Sequence, residues 1–106
     1  NARPSGQLKI LVAGAGPAGM AAARQFAYHG HRVVICEQQP ESGGLLALAA
    51  RAPGRGELND ILNFFRQEME RLGVDMRYNT ELSLDIINET CPDKVILATG
   101  SMPDLP

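Results

Sequence analysis

The sequence predicts an α/β fold, doubly wound about a mainly parallel sheet, and three features carry that prediction. Short aliphatic runs rich in β-branched residues recur along the chain, each closed by glycine or by a polar turn. Segments with helical spacing of apolar residues lie between them. Strand alternates with helix throughout, so successive strands are joined by right-handed crossovers and run parallel, with both faces of the sheet covered.

Residues 1–7 are polar and punctuated by Pro4 and Gly6, which predicts a flexible arm ahead of a single domain over 8–106. Residues 8–13 (LKILVA) read as a strand buried on both faces. Residues 20–29 are Ala-rich and free of internal Gly or Pro, and Gly30 stands where a left-handed helix end belongs. A second strand over 32–36 ends on an acid, Glu37. The stretch 38–56 holds Pro40, Gly43, Gly44, Pro53, Gly54 and Gly56 around an apolar patch at 45–50, a long connection of the kind that carries function. From 57 to 72, Leu58, Ile61, Leu62, Phe65, Met69 and Leu72 form the stripe of an amphipathic helix ended by Gly73. Residues 74–78 read as a third strand, 84–89 as a short helix, and 94–98 as a fourth strand closed by Gly100.

Composition removes several classes of function. The net charge is -2 and the pI about 5.6, so no positive excess draws the chain to nucleic acid or to anionic lipid. No apolar run reaches the ~18 residues of a membrane span, and the start lacks the order of a signal peptide, which places the chain in the cytoplasm as an expectation. Cys36 and Cys91 are far apart and have no His/Cys cluster near them, which predicts a buried thiol and a loop thiol rather than a metal site. His29 and His31 flank the Gly30 turn without a nucleophile in context and read as surface residues. Glu68 and Glu70, two apart on a helix, face different directions and do not form an acid/base couple.

The chemistry lies in Gly14, Gly16 and Gly19. A lone G-x-G-x-x-G is weak, but these three stand between a predicted strand and a predicted helix, and Glu37 ends the next strand roughly 20 residues further on. Gly14 permits the tight turn, Gly16 lets a pyrophosphate approach the backbone, and Gly19 lets the helix pack on the sheet. The helix start would then turn its free N–H groups, with about half an elementary charge, toward phosphate. Pro17 suits that first turn because it has no N–H to leave unsatisfied. Glu37 would accept the ribose hydroxyls of an adenosine and repel a 2′-phosphate; Gln38 and Gln39 supply no arginine for one, so FAD, NAD or ADP fits here and NADP does not. The plain alternative is a close helix-strand turn beside a solvated acid.

With Glu37, Gly43-Gly44 and Ala98-Thr99-Gly100-Ser101 following the fingerprint in order, almost the whole chain resembles the flavoprotein pyridine-nucleotide oxidoreductases, whose domains are Rossmann-like. Gly43-Gly44-Leu45-Leu46, Ala49 to Arg55 and Leu72-Gly73-Val74 resemble more narrowly the NADH:flavin oxidoreductase group that includes 2,4-dienoyl-CoA reductase and trimethylamine dehydrogenase. The resemblance implies an adenine-dinucleotide-binding segment of a larger oxidoreductase, with an FMN barrel, an iron-sulfur cluster and an NADH-binding segment elsewhere in the parent. It also implies that Gly16, Pro17 and Ala18 meet the pyrophosphate, and Glu37 and Gln38 the ribose. Gly44, Leu45 and Arg51 would line the far side, Leu82 would border the adenine, and Ala98, Thr99 and Gly100 would set backbone against the cofactor. For Arg51, a solvating role beside Arg55 is an equal alternative. The expected function is FAD binding for electron transfer between a nicotinamide and other redox centres; a non-redox ADP module and a direct NADH site are the alternatives. No catalytic residue is expected within the chain.

Overall fold

The structure, a computed structural model, describes residues 6–44, 51, 54 and 56–98. Strands β1 (Lys9–Ala13), β2 (Arg32–Cys36), β3 (Asp75–Arg77) and β4 (Lys94–Leu97) form one sheet in the order β3-β2-β1-β4, every pairing parallel. The first three strands step outward in one direction and β4 returns to the other side of β1. Strand order therefore reverses between β1 and β4, the switch point outside whose carboxyl edge open α/β sheets bind ligands.

Alternation along β1 divides the core. Ile10 and Val12 face one way, with Val33 and Ile35 of β2 beside them, and helices α1 (Pro17–Tyr28) and α2 (Gly56–Arg71) cover that side with Met20, Ala23, Leu62 and Met69. Leu11 and Ala13 face the other way with Val34 and Cys36, and there the short helix α3 (Leu84–Thr90) offers Ile86. Among the described residues this second face is thinly covered. Val95 and Leu97 of β4, in register with Leu11 and Ala13, are 38% and 70% exposed. Burial pushes the Cys36 thiol above its ordinary pKa, whereas Cys91 is exposed, in line with one buried and one loop thiol.

Local chemistry sets the helix ends. Gly30 (φ 90°) and Gly73 (φ 72°) take the left-handed conformation just past α1 and α2. In each case the glycine N–H returns to a carbonyl three residues back and the following N–H to one five residues back: Gly30 to Ala27 and His31 to Phe26, Gly73 to Glu70 and Val74 to Met69. Ser83 caps α3 by accepting from the Ile86 N–H at 3.2 Å. The α2 stripe is narrower than its sequence pattern: Leu62 and Met69 are buried and Phe65 and Leu72 pack on the core, but Ile61 is 46% exposed, being one residue and so ~100° away from Leu62 around the helix. His31 is half-buried rather than a free surface residue, because its Nδ1 accepts the Leu8 N–H at 3.0 Å. The 1–7 arm and the Gly100 closure fall wholly or mostly outside the described residues. No helix among the described residues is long and apolar enough to cross a membrane.

The seam between α1 and α2 carries charge at its outer edge. Arg24 of α1 donates to Glu68 of α2 at 2.8 Å, and Arg71 donates to the same carboxylate at 2.7 and 3.0 Å. The Arg24 guanidinium also lies 5.3 Å from the centre of the Phe64 ring. Hydrogen bonds from Arg71 and then Arg24 hold the Glu68 carboxyl down at about 2.

Two outcomes follow for stability. A Cβ at Gly19 would stand 1.9 Å from the Gly14 carbonyl oxygen, so Gly19→Ala must lift α1 from β1. A loss of about 3 kcal/mol is expected, read as a lower urea midpoint. Glu68 has a folded pKa below its unfolded value, so its contribution is full above about pH 5 and is lost as pH falls toward 2. The melting-temperature difference between the wild type and Glu68→Gln should therefore shrink across that window in acid, and stay constant from pH 6 to 8.

Candidate functional site

The glycine loop is built where β1 stops. Gly14 leaves the strand at φ 115°, a conformation open to glycine and costly for other residues, and its N–H donates to the Cys36 carbonyl at 2.8 Å. On the other side of β1, the Ala13 carbonyl accepts from the Ala98 N–H at 2.8 Å. The next peptide is held from both ends: the Ala15 N–H donates to Glu37 Oε1 at 2.6 Å, and the Ala15 carbonyl accepts from the Gly43 N–H at 2.6 Å. Ala15 itself is fully buried. Three segments distant in sequence thus meet at one residue.

Gly16 is the N-cap of α1, and no side chain caps the helix there. Pro17 opens the helix and its first turn holds no acid, so the positive end of the dipole is not neutralised locally. A Cβ built on Gly16 meets no atom within 4 Å. The space in front of this glycine is open. Gly19, one turn in, is buried against Gly14, and a Cβ on it would also lie 3.5 Å from Cβ of Ala98. Gly14 therefore makes the turn and Gly19 the close helix contact, while Gly16 borders open space.

Glu37 extends β2 by one more rung, its N–H donating to Arg77 and its carbonyl accepting from Thr80. Its carboxylate turns back to the loop, with Oε1 on the Ala15 N–H and Oε2 on the Gln39 N–H at 2.9 Å. Each oxygen has one N–H and keeps acceptor capacity for a further donor. Beyond it, residues 41–44 fold against the loop: Ser42 and Gly43 are buried, and a Cβ on Gly44 would come within 3.4 Å of Gly16 Cα.

Of the residues singled out from sequence, Gly14, Gly16, Pro17, Gly19, Glu37, Gly44 and Ala98 are brought together around this crevice. Ala18 is exposed in the first turn of α1, and Gln38 is exposed beside Glu37. Leu82 packs against the Leu11 and Ile86 cluster on the α3 face. Arg51 is exposed and pairs with the Glu41 carboxylate. Leu45, Thr99 and Gly100 lie outside the described residues. Arg66 of α2 was not marked by any motif, yet it donates to Ser42 Oγ at 2.9 Å and to the Ser42 carbonyl at 2.6 Å. The only signal for it in the sequence is a cation bordering the apolar stripe, next to Phe65. No group of three metal-ligating side chains occurs among the described residues.

Curated relatives carry the same segment. The chain is 42% identical over 97 residues to N,N-dimethylglycine/sarcosine dehydrogenase of Chromohalobacter salexigens, covering 92% of this chain and 14% of that protein. It is 39% identical over 98 residues to NADH oxidase of Thermoanaerobacter brockii, covering 92% of this chain and 15% of the oxidase. Among solved structures, a 2-naphthoyl-CoA reductase complex superposes with a TM-score of 0.86 at 34% identity, over 96% of this chain and 16% of the reductase. The chain therefore spans about one seventh of the length of the curated relatives it matches. The profile described as FAD dependent oxidoreductase matches residues 9–93, a span that opens at β1, takes in the glycine loop and Glu37 and stops at the edge of β4, and the chain belongs to that family.

Proposed function

We propose that this chain is the FAD-binding segment of a nicotinamide-dependent flavin oxidoreductase, and that the crevice between the glycine loop and Glu37 takes the ADP half of the dinucleotide. The observation that carries the reading is Gly16: an uncapped helix start faces a space that a single Cβ would begin to fill, with a carboxylate on its rim. A pyrophosphate has the charge and size for that space. In this reading the backbone of Gly16, Pro17 and Ala18 borders the pyrophosphate, and Glu37 and Gln38 take the ribose hydroxyls. Gly44, Leu45 and Arg51 stand on the far side, Leu82 toward the adenine, and Ala98, Thr99 and Gly100 along the carboxyl edge of the sheet. Bound FAD would supply electron acceptance and release at its ring system; the chain supplies binding and orientation.

The partner is the remainder of a larger cytoplasmic enzyme with an FMN barrel, an iron-sulfur cluster and an NADH-binding segment. The exposed Val95 and Leu97 on the thin face of the sheet give that remainder an apolar surface to cover. The relatives named above support an oxidoreductase context, and the length difference supports a segmental role.

The direct test is an absorption spectrum of the protein after FAD is added and the excess removed by desalting, with ADP and NADH titrated by calorimetry. Retained flavin bands are expected; binding of ADP without flavin would favour a non-redox nucleotide module, and binding of none of the three would overturn the site. Gly16→Val should leave the melting temperature nearly unchanged, since the new side chain meets open space, while weakening ADP and FAD at least roughly tenfold. Glu37→Ala should cost about 1–3 kcal/mol of stability by stranding the buried Ala15 N–H, and should weaken ADP as well. Against the wild type, ADP carrying a 2′-phosphate should bind more weakly than ADP, and Glu37→Gln should narrow that gap.

A further inference from the structure

The segment that follows Glu37 has no regular secondary structure over 38–43, yet it forms one wall of the crevice. Packing alone does not hold it. Ser42 borders a cavity of about 270 Å3 lined also by Arg66, Met69, Val74, Met76 and Tyr78, so packing beneath the wall is incomplete. What fixes it is hydrogen bonding at two adjacent residues. Gly43 ties it to the glycine loop through the Ala15 carbonyl, and Ser42 ties it to α2 through Arg66.

We infer that Arg66 is a positioning residue of the nucleotide site, holding the 41–44 wall against the glycine loop so that the crevice keeps its width before ligand arrives. This inference rests on the reading of the crevice as a nucleotide site. The guanidinium is a planar fork, and two of its N–H groups meet the two oxygens of one residue, Oγ and the carbonyl of Ser42, which is 1% exposed. The Nη2 that donates to the Ser42 carbonyl is also 3.7 Å from the Glu41 carboxylate, which pairs with Arg51 as well. Arg66 is thus engaged with the wall and with Glu41. Because α2 packs on α1, whose N-terminus is the phosphate end of the crevice, Arg66 references both walls to one rigid helix pair.

The test compares wild type, Arg66→Ala, Arg66→Lys and Ser42→Ala by amide hydrogen exchange, thermal melting and ADP calorimetry. Arg66→Ala should speed exchange at the Gly43 amide far more than at the β1 and β2 amides, and weaken ADP about tenfold, because the ligand must then order one wall of its own site. Arg66→Lys, which keeps the charge but not the fork, should restore part of both effects. Ser42→Ala should have a smaller effect in the wild type and almost none on top of Arg66→Ala. Exchange at Gly43 that is unchanged, or that rises only in step with the strand amides, overturns the inference. If Arg66→Ala does not fold, the same comparison made with Arg66→Lys and Ser42→Ala decides it. If wild type binds neither ADP nor FAD, the functional reading fails, while the exchange comparison still decides the role of Arg66.

Discussion

The site depends on the satisfaction of one peptide. Ala15 lies between the first two glycines of the loop, is fully buried, and has both of its backbone polar groups bonded to other segments. A buried N–H or carbonyl without a partner costs about 1–3 kcal/mol, so each of these bonds constrains where its partner segment can lie. The Glu37 carboxylate fixes the end of β2 relative to the loop, and the Gly43 N–H fixes the long connection that follows. A parallel sheet alone would bring the ends of β1 and β2 side by side. It would not decide how the loops beyond them close.

The same bonds arrange charge. The start of α1 is positive and bears no acid, while Glu37 brings a carboxylate to its edge and gives each oxygen one backbone donor. An adenosine diphosphate has the complementary pattern, anionic phosphates followed by a ribose with two donors. Five arginines among the described residues are engaged with other groups. Arg24 and Arg71 are engaged with Glu68, Arg77 with Asp75 and Glu89, and Arg51 and Arg66 with Glu41 and Ser42. In the proposed reading, phosphate recognition rests on backbone N–H groups, which tolerate little displacement, and the loop must be held rigidly for them to act.

Much of this was legible in the sequence because it is local. A glycine closing a helix, an apolar run closing a strand and the spacing of Gly14, Gly16, Gly19 and Glu37 depend on chemistry within a few residues, and every strand and helix among the described residues lies where its pattern put it to within a few residues. Helix α1 starts at Pro17, the residue that suits a first helical turn because it has no N–H to leave unsatisfied. The exposure of Ile61 was not legible, since an amphipathic stripe says which residues are apolar but not where its centre meets a neighbour. Nor was the burial of His31 against the Leu8 N–H, a contact made across the β1-α1-β2 unit.

The chain's own order of residues determined the α/β class, the parallel crossovers and the identity of the glycine loop, because periodicity and turn chemistry act over short distances. Tertiary structure alone decided that the Glu37 carboxylate binds the loop's own backbone, that Arg66 reaches Ser42 from the next helix, and that Arg51 turns to Glu41. Those choices depend on which partners packing brings within reach, however distant in sequence; the buried Ala15 N–H in particular must take the acceptor that the folded chain places beside it.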